Sequence, residues 1–231
     1  HPIPNEGNKD ALEVLVEGML KSTQTWEAKL TEAGQKAKNK AEKATIKAEV
    51  WEELLRNKKL GYFALLRNLR NIVVQAPFLV EEACDMLTNQ KMIQQSLVLP
   101  FRYLTAMNAI KNLETSAYHS LTKALNRAME FALSNVPVFD GRSLVVLDGS
   151  GSMTWGDVKG MGGRPIDIGA LFAAMLYKSN AADLMTFSDH ARYLRLNPED
   201  SLQTLSETLI RKAARNRTNF YSIYQVRFSR K

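Results

Sequence analysis

The ten residues from Leu144 to Met153, LVVLDGSGSM, constrain the fold more than any other stretch of the sequence. The run LVVL is short, wholly apolar and rich in β-branched side chains, which is typical of a strand buried on both faces of a parallel sheet. Asp148, Ser150 and Ser152 follow at alternate positions, with single glycines between them that let the backbone turn tightly. Three hard oxygen ligands at the carboxyl end of a buried strand favour Mg²⁺, with Mn²⁺ or Ca²⁺ as alternatives, over zinc.

Other motifs that place a turn after a strand do not fit this stretch. A nucleophile elbow needs a glycine two residues before and two residues after its serine, and neither serine has both. The P-loop needs Gly-Lys-Ser or Gly-Lys-Thr, which is absent, and Thr154 stands where GxGxxG needs its third glycine. A plain Ser/Gly turn that caps the following helix stays open as an alternative.

The segments after this turn alternate between helix and strand patterns. An apolar helix, IDIGALFAAMLYK, leads to a second buried strand, ADLMTF, and to a third, alternating strand, ARYLRL. A further helix, SLQTLSETLIRKA, is expected to be capped by Ser201, and the chain ends at VRFSRK within an alternating pattern. Strand, helix, strand predicts an open parallel α/β sheet, with a domain boundary near residues 136–141, where Pro137 and Asp140-Gly141 interrupt the pattern.

Almost all of residues 8–136 carries helical periodicity. A short helix around TWEAKL is expected to end at Gly34, and QKAKNKAEKATIKAEVWEELLRNKK is expected to form one long helix. Shorter helices with short connections follow, which suits a HEAT-like array or a bundle. In YFALLRNLRNIVVQ, Arg67 and Arg70 lie one turn apart on a face away from the apolar side chains.

The charge balance indicates an anionic partner. The 231 residues carry a formal net charge of +7 and a pI of about 9.4, which favours nucleic acid first and an acidic membrane surface second, with an inert basic surface as the alternative. No run is long enough to span a bilayer, and the single cysteine, Cys84, excludes a disulfide framework or a zinc cluster and fits a reducing cytoplasm. The candidate phosphate-binding cations are Lys58, Lys59, Arg67, Arg70 and Arg102.

DGSGS after LVVL resembles the metal-ion-dependent adhesion site of von Willebrand factor A domains. Asp189 in TFSD resembles a common feature of that family at the end of the second strand, rather than a direct ligand. The glycine pair that precedes the family's threonine is replaced here by Asn216-Arg217, and the family's later aspartate is absent. The ligand set implied by the resemblance is Asp148, Ser150, Ser152 and Thr218.

The order HPIP, LGYFALLRNLRNI, LPFRYLTA and DGSGSM resembles the bacterial Ro60-like proteins of the TROVE family. The resemblance implies a multidomain α and α/β chain, with HEAT-like helical repeats in residues 1–136 and a truncated, partial von Willebrand factor A domain in residues 141–231. The chain is expected to be a fragment of a longer protein. His1 matches a family histidine near the RNA-binding surface.

The same resemblance implies a function in cytoplasmic RNA quality control. Such proteins bind small noncoding Y-like RNAs on the outer face of a helical ring and take single-stranded 3′ ends of misfolded RNAs into its hole. Neither a membrane nor DNA is an expected partner. A protein partner could donate a carboxylate to the metal.

Two alternatives to RNA binding follow from the sequence. One is a metal-dependent protein-interaction module that does not use RNA. The other is a magnesium-dependent phosphohydrolase or nuclease, which would need a second convergent carboxylate and a base. His1, His119 and His190 are scattered along the chain, so no enzymatic activity is expected.

Overall fold

A computed structural model describes residues 25–37 and 39–229, with side chains placed as far as Val226. Those residues fall into two compact units, divided between Leu60 and Gly61. His1 lies outside the described residues. Within them, no helix is long and apolar enough to cross a membrane.

The first unit contains helices α1 (Trp26–Lys36) and α2 (Lys40–Arg56). The Trp26 and Trp51 rings stack across them with centroids 6.4 Å apart, and Trp51 is fully buried. The predicted long helix forms as α2, but it begins at Lys40 and not at Gln35, because the side chain of Asn39 accepts a hydrogen bond from the Glu42 N–H at 2.8 Å and so caps a new helix. The expected end at Gly34 is wrong, since α1 continues for two more residues.

The second unit opens with a helical array. The apolar face of its first helix, α3, is buried through side chains such as Leu65, Leu69 and Ile72. Tyr62 and Tyr103 are buried in the same core, where the Tyr103 hydroxyl donates to Tyr62 at 3.0 Å; burial raises the pKa of Tyr103 to about 12. The helices of the array are α3 (Tyr62–Gln75), α4 (Val80–Leu87), α5 (Gln90–Ser96), α6 (Phe101–Ile110) and α7 (Tyr118–Phe131).

A small α/β layer follows the array. Its strands are β1 (Leu144–Asp148), β2 (Asp183–Phe187) and β3 (Ala191–Leu194), and its helices are α8 (Pro165–Asn180), α9 (Leu202–Lys212) and α10 (Tyr221–Ser229). The side chain of Ser201 accepts from the Thr204 N–H at 3.1 Å, which confirms the expected cap of α9. The alternating pattern at the end of the chain does not give a strand: residues 221–229 are helical.

The three strands form one sheet in the order β1, β2, β3. The β1–β2 pair is parallel, as expected, and sets Asp148 beside Phe187. The β2–β3 pair is antiparallel, so the sheet is mixed and not wholly parallel. The cause is the short connection between them: residues 188–190 reverse the chain, whereas a parallel pair needs a long crossover. The predicted fold class, a helical array followed by a partial α/β domain, is confirmed.

Candidate nucleic-acid interface and serine turn

One exposed stripe of α3 combines aromatic and cationic side chains. Phe63, Arg67, Arg70 and Val74 are all exposed, and their spacing of four, three and four residues puts them on one side of the helix. This is the face opposite to the buried leucines. The sequence therefore builds an amphipathic helix whose outer face carries two guanidinium groups and an accessible ring.

Arg102 of α6 completes a cluster around the Phe63 ring. The guanidinium carbons of Arg67 and Arg102 lie 5.8 Å and 5.4 Å from the centroid of that ring. Arg102 also lies 4.7 Å from the centroid of the Phe101 ring, which itself stacks on Phe172 of α8 at 5.2 Å. We call Arg67, Phe63 and Arg102 the Arg–Phe–Arg cluster. Cation–π contacts hold the two guanidinium groups beside the same exposed ring.

The Arg–Phe–Arg cluster keeps its positive charge. Among the described residues, no carboxylate forms an ion pair with Arg67, Arg70 or Arg102. The cluster lines a cleft of about 410 Å³ together with Thr105 and Gly160. Two uncompensated cations beside an exposed ring provide phosphate attraction and base stacking in one place.

The structure thus brings two of the predicted cations together and adds a residue that the sequence analysis missed. Arg67 and Arg102 are 35 residues apart, and only the packing of α6 beside α3 joins them. Phe63 was overlooked, although its position one turn before Arg67 was a usable signal. Arg70 is exposed one turn further along the same stripe.

Lys58 and Lys59 lie in the first unit, directly after α2. The Lys59 ammonium is 3.3 Å from a Glu53 carboxylate oxygen that also accepts from Lys29 at 2.6 Å, and these hydrogen bonds, that of Lys29 first, hold the Glu53 pKa below its ordinary value. Lys59 is therefore partly neutralised. Lys58 is exposed and adopts a left-handed φ of 53°.

The serine turn, residues 148–152, begins at the carboxyl end of β1. The Ser150 N–H donates to Asp148 Oδ1 at 2.8 Å, and the Ser150 hydroxyl donates to the same oxygen. Ser150 is buried, whereas Ser152 is exposed at the start of a short 3₁₀ turn, Gly151–Thr154. The Asp148 carboxylate and the Ser150 hydroxyl are therefore in direct contact, and the convergence of these two oxygens with that of Ser152 stays a prediction.

The loop of residues 213–220 is fastened to the serine turn through its backbone. The Gly151 N–H donates to the Asn216 carbonyl at 2.9 Å, and the Arg215 N–H donates to the Gly149 carbonyl at 2.8 Å. A Cβ atom at Gly151 would lie 2.9 Å from the Arg215 carbonyl oxygen, so only glycine allows this approach. The resulting serine-turn cleft is lined by Gly151, Ser152, Trp155, Asp189, Arg215, Asn216 and Arg217.

Two further residues named from the sequence differ in their relation to the serine-turn cleft. Thr218 is exposed and is not among the residues that line it. Asp189 does line it, at the end of β2, and accepts from Ser188 at 2.8 Å and from the Asn216 amide at 3.2 Å. These two hydrogen bonds, with a smaller contribution from His190, lower the pKa of Asp189 to about 2. Asp189 is therefore an anion at neutral pH.

The oxygen atoms at the serine turn are chemically suited to a hard divalent cation. Asp148 and Ser150 supply side-chain oxygens that are in direct contact, and the buried Thr186 hydroxyl behind Gly149 has no hydrogen-bond partner among the described residues. Within the described ranges, no group of three or more His, Cys, Asp or Glu side chains comes together. Any cation here would be held mainly by one carboxylate, hydroxyls and water, which is the preference of Mg²⁺.

Together, the helical array and the α/β layer that carries the serine turn define a helical-repeat protein with a partial α/β domain. The family model of the TROVE domain matches residues 19–148, which is more than half of the sequence. The chain belongs to the TROVE family.

Relatives of known sequence and structure support this assignment. The chain is 34% identical over 119 residues to telomerase protein component 1 of Mus musculus, and 35% identical over 83 residues to RNA-binding protein RO60 of Deinococcus radiodurans. These alignments cover 48% and 35% of this chain, but only 4% and 16% of the relatives. The crystal structure of the Deinococcus radiodurans RO (RSR) protein matches with a TM-score of 0.63 at 22% identity, covering 94% of this chain and 49% of that one. The chain thus spans about half of the solved Ro protein, with which it shares the fold.

Proposed function

We propose that this chain binds RNA through the Arg–Phe–Arg cluster and the neighbouring Arg70. The observation that carries the proposal is the pair of guanidinium groups within 6 Å of one exposed ring, with no carboxylate paired to either of them in the described part of the chain. The formal net charge of +7 and the similarity to RNA-binding protein RO60 of Deinococcus radiodurans support the same class of ligand.

The preferred ligand is RNA with unpaired bases. A phenylalanine ring that is 40% exposed offers a face on which a base can stack, and stacking needs a base that is not paired in a duplex. Arg67 and Arg102, whose guanidinium groups lie within 6 Å of the centroid of that ring, would then contact the adjoining phosphates. Small noncoding Y-like RNAs and the single-stranded 3′ ends of misfolded RNAs have this chemistry, and we assign to the protein a non-enzymatic, cytoplasmic role in RNA quality control.

Salt dependence tests this assignment. A labelled, structured RNA with a single-stranded 3′ tail is titrated with the protein between about 50 and 200 mM salt, and an identical RNA without the tail is the control. Each phosphate that is neutralised on a single strand should contribute about −0.7 to the slope of log K against log salt. We expect tighter binding of the tailed RNA and a clearly negative slope. Absence of binding, or a slope near zero, would contradict the proposal.

A second candidate function is metal-dependent binding of a protein partner. The observation that favours it is the direct contact between the Asp148 carboxylate and the Ser150 hydroxyl at the carboxyl end of β1. Asp148, Ser150, Ser152 and Thr218 would hold the cation, which is the ligand set that the resemblance to adhesion sites implies. The cation would supply Lewis acidity toward a carboxylate of the partner.

Manganese binding tests the metal site directly. We expect Asp148→Asn to lower Mn²⁺ affinity at least ~10-fold, as measured by electron paramagnetic resonance of free Mn²⁺, because the substitution removes the one carboxylate of the set. Asp140→Asn, at an exposed carboxylate before β1, is the matched control and should bind like the wild type. Equal affinities for the wild type and Asp148→Asn would eliminate this site.

A further inference from the structure

A tryptophan side chain, that of Trp155, is exposed to solvent at the edge of the serine-turn cleft. Trp155 is 77% exposed, directly after the 3₁₀ turn Gly151–Thr154. Its backbone N–H donates to the Ser152 carbonyl at 3.3 Å, so its position is tied to the serine turn. An indole ring in water is an available stacking surface, and tryptophan is among the side chains most often used for recognition.

Two guanidinium groups line the same cleft. Arg215 and Arg217 flank Asn216, and neither forms an ion pair with any residue that the structure describes. Arg215 adopts a left-handed φ of 60°, a conformation that a residue with a Cβ atom rarely takes. The backbone hydrogen bond from Arg215 to Gly149 holds that conformation in place. Strained backbone that is held in this way concentrates at functional sites.

The cleft keeps a net positive charge, because two arginines and one carboxylate line it. Asp189 is the one carboxylate among its lining residues, and the oxygens of Asp189 already accept from Ser188 and Asn216 and contact His190 at 3.3 Å. The guanidinium groups therefore remain available to an anionic ligand from solution. A tryptophan with two unpaired arginines offers base stacking together with phosphate attraction, whereas an acidic peptide would use the arginines alone.

We infer that the serine-turn cleft is a second binding surface for single-stranded RNA, on which Trp155 stacks with a base and Arg215 and Arg217 contact the flanking phosphates. The inference rests on the proposed RNA binding, but it assigns a site on the α/β layer whose lining shares no residue with the cleft of the Arg–Phe–Arg cluster.

Tryptophan fluorescence provides a local readout for this surface. Trp51 is fully buried and Trp26 is half-buried against it, so quenching by a stacking base reports mainly on Trp155. The full chain is titrated with a short oligouridylate at low salt. We expect quenching that saturates in the wild type and that is lost in Trp155→Leu. Because Trp155 is exposed, this substitution should not disturb the fold. Quenching that persists unchanged in Trp155→Leu would overturn the inference.

The arginines are tested by a paired substitution with a matched control. The double variant combines Arg215→Asn with Arg217→Gln. Asparagine is chosen at position 215 because it tolerates the left-handed backbone conformation found there. We expect at least tenfold weaker quenching affinity for this double variant, and wild-type affinity for Arg195→Gln, which removes one exposed charge just after β3. Equal affinity for the double variant and the control would overturn the inference.

The same assay separates this inference from the proposed function. If oligouridylate quenches Trp155 in a variant that lacks Arg67 and Arg102, the second surface acts independently of the first. If tailed RNA binds through Arg67 and Arg102 but oligouridylate does not quench Trp155, the proposed function stands and the second surface fails. Quenching by oligoglutamate and not by oligouridylate would also overturn the inference, and would leave an acidic protein as the ligand of the cleft.

Discussion

Replacing Arg67 and Arg102 together with glutamine is expected to weaken binding of a 3′-tailed RNA by about 10²-fold at moderate salt. The loss follows from the removal of two charge-assisted contacts to phosphate, each of which contributes roughly 1.5–3 kcal/mol before non-additivity is considered. The slope of log K against log salt should also become shallower by about 1.4, since two neutralised phosphates are lost on a single strand. Fluorescence anisotropy of labelled RNA measures both quantities.

The matched control for this double variant is Arg127→Gln. Arg127 is exposed on α7 and lies 5.4 Å from the centroid of the Phe131 ring, so its substitution removes one positive charge, half of the change in the double variant, and the same kind of cation–π contact in another place. We expect little change in RNA affinity for this control. An equal loss of affinity in Arg127→Gln and in the double variant would show that general surface charge, and not the Arg–Phe–Arg cluster, binds RNA. Thermal unfolding of all variants verifies that they are folded.

Substitution of Leu69 by alanine is expected to lower the free energy of unfolding by about 2–5 kcal/mol. Leu69 is 1% exposed on the inner face of α3, and its truncation leaves a cavity beneath the helix that carries Phe63 and Arg67. Urea denaturation followed by circular dichroism measures the change through the midpoint and the slope of the transition.

Val74→Ala on the same helix is the control for Leu69→Ala. Val74 is 58% exposed, so its truncation should change the free energy of unfolding by no more than about 0.5 kcal/mol. Similar losses for the two variants would mean that the buried face of α3 does not stabilise the helical array in solution. At urea concentrations below the unfolding transition, both variants should bind RNA with the affinity of the wild type, because neither side chain is part of the Arg–Phe–Arg cluster.

The elements that could be predicted from the sequence are those with strong local patterns. LVVL, ADLMTF and ARYLRL are strands at the expected places, and Asp148 lies at the end of the first of them. The long helix was predicted, but its start was placed too early, because the composition is uniformly favourable to helix and one capping asparagine, Asn39, decides where the helix begins. β3 runs antiparallel to β2 because only three residues connect the two strands. The prediction of a parallel sheet did not take this short connection into account.

The binding surfaces were harder to predict because they depend on contacts between distant segments. Arg102 joins Arg67 through the packing of two helices, and Arg217 reaches the serine-turn cleft through backbone hydrogen bonds in its loop. Periodicity places a residue on a face but does not say which faces meet. Trp155 was not singled out, since an isolated aromatic residue in a loop gives no periodic signal.

The crowding around Gly149 and Gly151 determines which changes this part of the chain can tolerate over time. A Cβ atom at Gly151 meets a backbone carbonyl, and a Cβ atom at Gly149 lies 2.9 Å from the Thr186 hydroxyl and 3.2 Å from the Cα of Ala213. Ser152 and Trp155, by contrast, are exposed and can be exchanged without steric conflict. In a diverging lineage, the two residues without side chains should therefore be the slowest to change, while the exposed side chains around them remain free to vary.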